Sequence, residues 1–464
     1  MFSKDIYTAR RQHLQSKMNG GGLILLMGNG ESPMNYLDNT YRFRQDSHFL
    51  YFTGLDRPHL AALIDLDEPQ VTVFGDELSI EYIVWMGPQP TIAEQARQAG
   101  IEQVVPYAEL AGRLAQAQAK GRPIHFLPPY RGENMIQMGQ WLGMPAHEVR
   151  QQASEELIKA VVALVSAKGP EEVAEMEKAL AVTHAMHLAA MRAARPGIKE
   201  AQLAGIVEGI ALAAEGQLAY PAILTVNGQT LHNHYHGNVL QSGQLVLGDF
   251  GAETPSHYAG DITRTFPVDQ TFSAKQKEIY QLVLDTEEAC IAACLPGMRY
   301  LDVHLQACRQ IAEGLQALGL MQGDVEEAVQ QGAHALFFPH GLGHMIGMDV
   351  HDMEGLGENY VGYGGEVERS TQFGLKSLRL ARALQPGFVL TVEPGIYFIP
   401  ELIDMWQSQG KFAEFINYDK VQAYRDFGGI RIEDNVLITA DGYRVLGPRI
   451  AKTIAEVEAV RNGA

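Results

Sequence analysis

Phe337-Phe338-Pro339-His340-Gly341-Leu342-Gly343-His344-Met345-Ile346-Gly347-Met348-Asp349-Val350-His351-Asp352 is the stretch from which the rest of the chain can be read outward. Three histidines fall between positions 340 and 351, and two glycines lie between the first pair. Gly341 and Gly343 have poor helix propensity and permit close backbone approach, so an ordinary helix with two histidines on one face is a poor description. The pattern predicts a backbone bent around something small and polar. In a chain with sixteen histidines, composition explains this cluster as readily as chemistry does. The acids elsewhere decide between the two.

Residues 245–251 alternate as a strand carrying Asp249, and residues 258–266 as a second carrying Asp261. The polar link 253–257 between them suggests a hairpin that sets both aspartates on one face. Further on, residues 388–395 put Glu393 at the end of an apolar strand, and residues 428–436 do the same with Glu433. Carboxylates inside β-branched strands are costly to bury unless paired or bound to metal. One such acid could sit at a strand end, but four of them beside the His340/His344 loop call for a common cause.

That cause is a binuclear metal site. Four ionised carboxylates carry a charge of about −4, which offsets two divalent cations. The expected arrangement has Asp261 and Glu433 bridging both ions, Asp249 on one, and His344 with Glu393 on the other. An oxygen-dominated set with one imidazole suits Mn²⁺ or Co²⁺ better than a thiolate-rich structural zinc site would. Manganese is the expected ion, with cobalt or zinc as alternatives. Two such ions hold a bridging hydroxide at neutral pH and polarise a carbonyl, so metal-assisted hydrolysis is the expected reaction class.

The totals agree with an enzyme of this kind. A chain of 464 residues, 46% hydrophobic and 20% charged, is long enough for two domains. A formal charge of −19 argues against nucleic acid as partner. Cys290, Cys294 and Cys308 are odd in number and lack CxxC spacing, which disfavours a disulfide framework or a cysteine metal site. No apolar run approaches the ~20 residues of a membrane span, and the opening Met1-Phe2-Ser3-Lys4-Asp5-Ile6 lacks a signal-peptide core. A cytoplasmic location, away from membranes, is expected.

Along the first third, strands are predicted at 22–27, 59–66, 70–75, 82–86 and 123–127, with helices at 91–99 and 107–119. This alternation indicates an α/β domain over residues 1–156. A long helical pattern from 155 to 195, broken at Lys168-Gly169-Pro170, opens a second domain over 157–464. This second domain repeats itself. Helix, Arg195-Pro196-Gly197-Ile198-Lys199 and helix are followed a hundred residues later by helix, Leu295-Pro296-Gly297-Met298-Arg299 and helix. A duplicated α+β half gives a pseudo-twofold domain whose site draws ligands from both copies.

The order of Asp249, Asp261, His344, Glu393 and Glu433, in the contexts DFG, GDITRTFP, PHGLGH, TVEPGIYF and GGIRIED, resembles the pita-bread metallopeptidases. That family includes methionine aminopeptidase, aminopeptidase P and prolidase. The resemblance implies the pita-bread fold for residues 157–464 and assigns those five residues as ligands. Residues 44–54 resemble the creatinase-type domain that precedes the catalytic domain in proline-specific members. A creatinase, or a protein that only binds, would be expected to have lost the metal acids.

Two features resemble prolidase, an Xaa-Pro dipeptidase, more than the alternative, an aminopeptidase P acting on longer peptides. One is the 39-residue stretch 394–432 between Glu393 and Glu433. The other is the segment 377–387, where Arg379 matches the arginine that the resemblance implies binds the dipeptide's C-terminal carboxylate. A planar guanidinium suits that partner. The resemblance further implies that Glu393 shuttles a proton and that His232 and His351 contact the substrate and the tetrahedral intermediate. It places His340 in the pocket wall and Arg431 in the GGIRIED position. His234 is the alternative to His232, since the family's Leu-His element appears here as Leu231-His232-Asn233-His234. The link from Asp249 to Asp261 is one residue longer than the family's usual spacing. A homodimer and a side activity on organophosphates belong to the same expectation.

Overall fold

The computed structural model describes residues 2–68, 70–365 and 367–463. By its contacts the chain divides into two units, Met1–Val165 with Gly355–Tyr360, and Ser166–Glu354 with Val361–Ala464. The helix Glu155–Val165 closes the first unit, past the composition shift near residue 156.

The first unit is built on a five-stranded sheet in the order Gln103–Val105, Val71–Phe74, Ala61–Asp65, Leu23–Met27, Ile124–Phe126. The inner pairs are antiparallel and the two outer pairs parallel. Leu25, Leu63 and Phe74 pack against Leu110 and Leu114 of the helix Glu109–Ala119 and Met138 of the helix Gly132–Leu142. The strand expected at 82–86 is instead part of a helix, Ile80–Met86. Ser79 accepts a hydrogen bond from the Tyr82 amide at its start, and Gly87, with φ of 82°, ends it. Five consecutive apolar or aromatic residues do not distinguish strand from helix by period, and here the cap decides. None of this helix is buried, and Trp85 is 79% exposed.

In the second unit the repeat is visible in the backbone. The first copy runs α1 (Pro170–Ala193), α2 (Glu200–Ala213), β1 (Leu245–Asp249) and β2 (Thr263–Pro267). The second runs α3 (Ala274–Ala293), α4 (Tyr300–Ala317), β3 (Val389–Val392) and β4 (Asp434–Ile438). Gly197 and Gly297 turn the two helix pairs at φ of 93° and 85°, a left-handed conformation that glycine adopts without strain. Their amides donate to Leu240 O and Leu384 O, each at 2.8 Å. The return bonds run from Leu240 N to Ile198 O and from Leu384 N to Met298 O. The second unit therefore has the pseudo-twofold architecture expected of the pita-bread fold, with each copy ending in an antiparallel strand pair.

The register refines the expected hairpin. Asp249 lies opposite Thr263, so Asp261 precedes the ladder by two residues on the same face and is not a direct cross-strand partner. The link makes a detour in which Ala252–Glu253 pairs with Gln217–Leu218. In the turn that follows, His257 takes φ of 65° and its Nδ1 lies 2.6 Å from Glu253. In the second copy Val392 opposes Asp434, which leaves Glu393 and Glu433 one step beyond the ladder.

Behind β2 and β4 lies a buried charge cluster. Asp434 accepts from Arg264 at 2.6 Å and from Lys452 at 2.9 Å, and Lys452 also donates to Glu287 of α3 at 2.8 Å. Burial and the Asp434 charge push the Glu287 carboxyl up to about 8 from 4.5, against the pull of Lys452. The folded state then holds a proton that the unfolded chain releases, so this group's stabilising contribution is lost as pH rises from about 4.5 to 8. Chemical denaturation across that window should show wild type losing stability, on the order of a few kcal/mol, relative to Glu287→Gln. Parallel pH profiles for the two proteins would refute the shift.

Candidate metal centre

The histidine stretch is an irregular strand laid alongside β3. Glu393 N donates to Leu342 O, Thr391 N to His344 O, and Ile346 N to Val389 O, at 2.8, 2.9 and 3.1 Å. This approach depends on Gly343, where a Cβ would stand 2.1 Å from Thr391 O. It delivers the His344 side chain next to Glu393. His344 Nε2 lies 3.7 Å from Glu393 Oε1 and 3.4 Å from Asp261 Oδ2. Its Nδ1 is 3.0 Å from Met345 O, a contact that places the proton on Nδ1 and leaves Nε2 as the lone-pair donor.

One cavity of about 370 Å³ is lined by all ten residues singled out in the sequence: Asp249, Asp261, His344, Glu393, Glu433, His232, His340, His351, Arg379 and Arg431. His234 lines it as well, so the cavity does not separate it from His232. The carboxylates converge from both copies. Donor atoms of Asp261, His344 and Glu433 all lie within 4.8 Å of one another.

The electrostatics are those of a cation site. Burial, followed by the charges of Asp261, Glu393 and Asp249, pushes the Glu433 carboxyl well above its ordinary range. Burial raises Glu393 to about 7, with His344 and Arg431 pulling against it and Asp261 and Asp249 adding to it. Asp249 is raised, mainly by burial, against the opposing pull of Arg431. Burial also pulls His344 down, but the hydrogen bond to Asp261 and the Glu393 charge carry it above its usual value. Buried Glu433 Oε1 has no hydrogen-bond partner among the described residues. An orphaned carboxylate oxygen facing three other carboxylates is costly as it stands and satisfied by a bound metal ion. The donor set, four carboxylates and one imidazole, fits two divalent cations.

Around the acids runs a polar chain that the sequence did not announce. Arg431 donates to Asp249 Oδ2 at 2.5 Å, to Tyr397 Oη at 2.7 Å and to Thr263 Oγ1 at 3.1 Å. Thr263 in turn donates to Glu433 Oε2 at 2.6 Å, and Tyr397 Oη lies 2.9 Å from His340 Nε2. Burial holds His340 down at about 3, so it meets the tyrosine as a neutral acceptor. Tyr220 donates toward both Asp249, at 2.6 Å, and Asp261. Tyr397 sits inside the TVEPGIYF motif and could have been singled out there. Tyr220 lies before a proline, in a segment without acids or regular pattern, and had no such signal.

His351, Arg379 and His232 line the same cavity. His351 Nδ1 is 2.5 Å from Glu354 Oε2, and Arg379 Nε is 3.4 Å from the same oxygen. The His344 and His351 rings meet edge to face at 4.4 Å. His232 is held below its usual value by desolvation, with Asp249 pulling it up and Arg431 and Arg379 pushing it down.

The family described as metallopeptidase family M24 matches residues 174–440, and the aminopeptidase P N-terminal domain matches residues 7–125. Human Xaa-Pro dipeptidase is 31% identical over 99% of this chain and 93% of its own length. A probable Xaa-Pro aminopeptidase of Aspergillus fumigatus is 32% identical over 94% of this chain and 92% of its own. Zinc-substituted E. coli aminopeptidase P in complex with product superposes with a TM-score of 0.81 at 30% identity, over 99% of this chain and 98% of that one. Among the described residues no helix is long and apolar enough to cross a membrane.

Proposed function

Because this chain belongs to metallopeptidase family M24 and carries an aminopeptidase P N-terminal domain ahead of the catalytic one, we propose that it hydrolyses Xaa-Pro dipeptides with two divalent metal ions. The observation that carries the dipeptide reading is Arg379, a guanidinium in the wall of the cavity that also holds the four acids. A bidentate partner for a free carboxylate, set within a single small cavity, selects substrates that end one residue after the scissile bond. The stretch 394–432 supports the same reading. It forms the paired strands Gly395–Tyr397 and Gly429–Arg431, with the helix Pro400–Ser408 between them.

Asp249, Asp261, His344, Glu393 and Glu433 would hold the ions, with manganese preferred. When bound, the two ions supply Lewis acidity that activates water and polarises the scissile carbonyl. The chain's own residues do the rest. Arg379 takes the C-terminal carboxylate and fixes the proline ring. His232 and His351 contact the substrate and the tetrahedral intermediate as the carbonyl oxygen gains charge. Glu393 takes a proton from the attacking water and delivers it to the proline nitrogen, which must be protonated to leave as a secondary amine. Arg431, held by Asp249 and Tyr397, keeps the acid cluster in place.

Aminopeptidase P is the second reading, favoured by the structural similarity to E. coli aminopeptidase P. After metal reconstitution, Gly-Pro and Ala-Pro should be cleaved in preference to an Xaa-Pro tripeptide. Cleavage of the tripeptide without the dipeptide would assign the aminopeptidase activity instead. Arg379→Ala should raise the dipeptide KM about 10- to 100-fold, the scale of lost charge-assisted hydrogen bonds, and leave the tripeptide KM unmoved. A cytoplasmic homodimer belongs to the same proposal. It is supported by three buried free cysteines and by the helix Ile80–Met86, none of whose residues is buried and whose Ile80, Val84, Trp85 and Met86 are exposed.

A further inference from the structure

We propose that Glu354 is a positioning residue that joins His351 and Arg379 into one substrate-holding unit. This deepens the dipeptidase reading above and rests on it only for the role of Arg379. One oxygen, Oε2, faces both residues: it lies 2.5 Å from His351 Nδ1 and 3.4 Å from Arg379 Nε. Glu354 does not itself line the cavity, whereas both of its partners do.

Two consequences follow from this placement. A carboxylate at Nδ1 keeps the proton on that nitrogen, so His351 presents Nε2 to the cavity in one tautomer and one ring orientation. The same carboxylate holds the guanidinium by its Nε edge, which restrains the plane in which it can meet a substrate carboxylate. Without Glu354 the histidine ring can flip and the arginine loses the restraint on its Nε edge, so the link between the two substrate contacts is gone.

The glutamate does little for the fold. The side chains of Glu354, His351 and Arg379 are 40%, 31% and 33% exposed, and ion pairs this open to water contribute little to stability. Its pairing matters for geometry. His351 first, and then Arg379, keep the Glu354 carboxyl ionised, down at about 2, so the anchor is present throughout the range in which an enzyme of this kind works.

Glu354→Ala and Glu354→Gln, each reconstituted with Mn²⁺, test this against wild type on Gly-Pro and on an Xaa-Pro tripeptide. In the alanine variant kcat should fall about 10- to 100-fold on whichever substrate turns over, the usual scale for losing a partner that orients a histidine. The dipeptide KM should rise while any tripeptide KM stays put, and Tm should be unchanged. Glutamine keeps a neutral acceptor for Nδ1–H and should recover most of the lost kcat. Imidazole ¹⁵N NMR, with His351 assigned through His351→Asn, should show the Nδ1–H tautomer in wild type and glutamine variants and its loss in the alanine variant. The proposal is overturned by an alanine variant with kcat within twofold of wild type, by a loss that glutamine fails to recover, or by an unchanged tautomer. If wild type cleaves only the tripeptide, the dipeptidase reading falls, and the kcat and tautomer results still decide the role of Glu354.

Discussion

Replacing Glu433 with alanine is expected to abolish turnover while leaving the metal-free protein no less stable than wild type. If Glu433 holds metal as proposed, its loss removes several kcal/mol of transition-state stabilisation, a drop of roughly 10³-fold or more. The stability half of the expectation comes from the electrostatics of the acids. Without metal, Glu433 is a buried carboxyl beside Asp261, Glu393 and Asp249, and burial and those charges together push it well above its ordinary range. One of its oxygens has no hydrogen-bond partner among the described residues. Removing the group relieves that repulsion and loses one hydrogen bond, from Thr263. With metal the sign reverses, since a tightly bound ion stabilises the folded state by mass action and the variant binds it less well. Thermal unfolding with EDTA and with excess Mn²⁺ therefore separates the two proteins. Wild type gains a large Tm increment on metal addition, and Glu433→Ala starts at an equal or higher Tm and gains little. A metal-free variant that melts well below wild type would show that Glu433 serves the fold instead. Retained turnover would remove it from the ligand set.

The parts of this protein that were legible in its sequence are those where burial makes a residue type costly. Glu393 and Glu433 stand out because a carboxylate at the end of an apolar strand needs a reason. The helix–Pro-Gly–helix repeat stands out because Gly197 and Gly297 occupy a backbone conformation that other residues adopt only under strain. Contacts made through space left less trace. Tyr220 reaches Asp249 and Asp261 from 29 and 41 positions away, and nothing in its own neighbourhood points to them. The relation between Asp249 and Asp261 required the register, which puts Thr263 and not Asp261 opposite Asp249. Residues 82–86 read as strand because their run of apolar and aromatic residues carries no period, and the deciding feature, Ser79 as a cap, lies outside the run. Thr263 and Arg264 are adjacent in a strand of alternating residues, and alternation correctly sends them to opposite faces. Both faces are buried: Thr263 serves the acids, and Arg264, 1% exposed, serves the charge cluster behind them.

That cluster carries the other large effect. Asp434→Asn should destabilise the protein by about 3–5 kcal/mol, the scale for removing one partner of a buried ion pair, and lower Tm by roughly 3–5 °C. Asp434 is the shared acceptor of Arg264 and Lys452, both buried, and those two cations draw its carboxyl far below the ordinary range despite burial. With Asp434 neutral, the only other carboxylate bonded to Lys452 among the described residues is Glu287. After burial, Asp434 raises Glu287 both by its charge and by a hydrogen bond, so its loss lets the Glu287 carboxyl fall and ionise against Lys452. With the Glu287 pKa back toward 4.5, the variant should therefore show a flatter stability profile between about pH 4.5 and 8, and its deficit against wild type should shrink as pH rises. Wild type loses stability as pH rises through the same range. Comparing ΔG of unfolding at pH 5 and pH 8 for wild type, Asp434→Asn and Asp434→Asn/Glu287→Gln tests the coupling: wild type should lose the most between the two pH values, Asp434→Asn less, and the double variant nothing from this pair. Activity should fall with stability. Arg264, which Asp434 anchors, also donates to the backbone carbonyl of Glu433, and an unanchored guanidinium frees the acid cluster from the rear. A variant equal to wild type in stability at both pH values would mean that the four charges balance without Asp434, and the reading of Glu287 as a protonated group would fall with it.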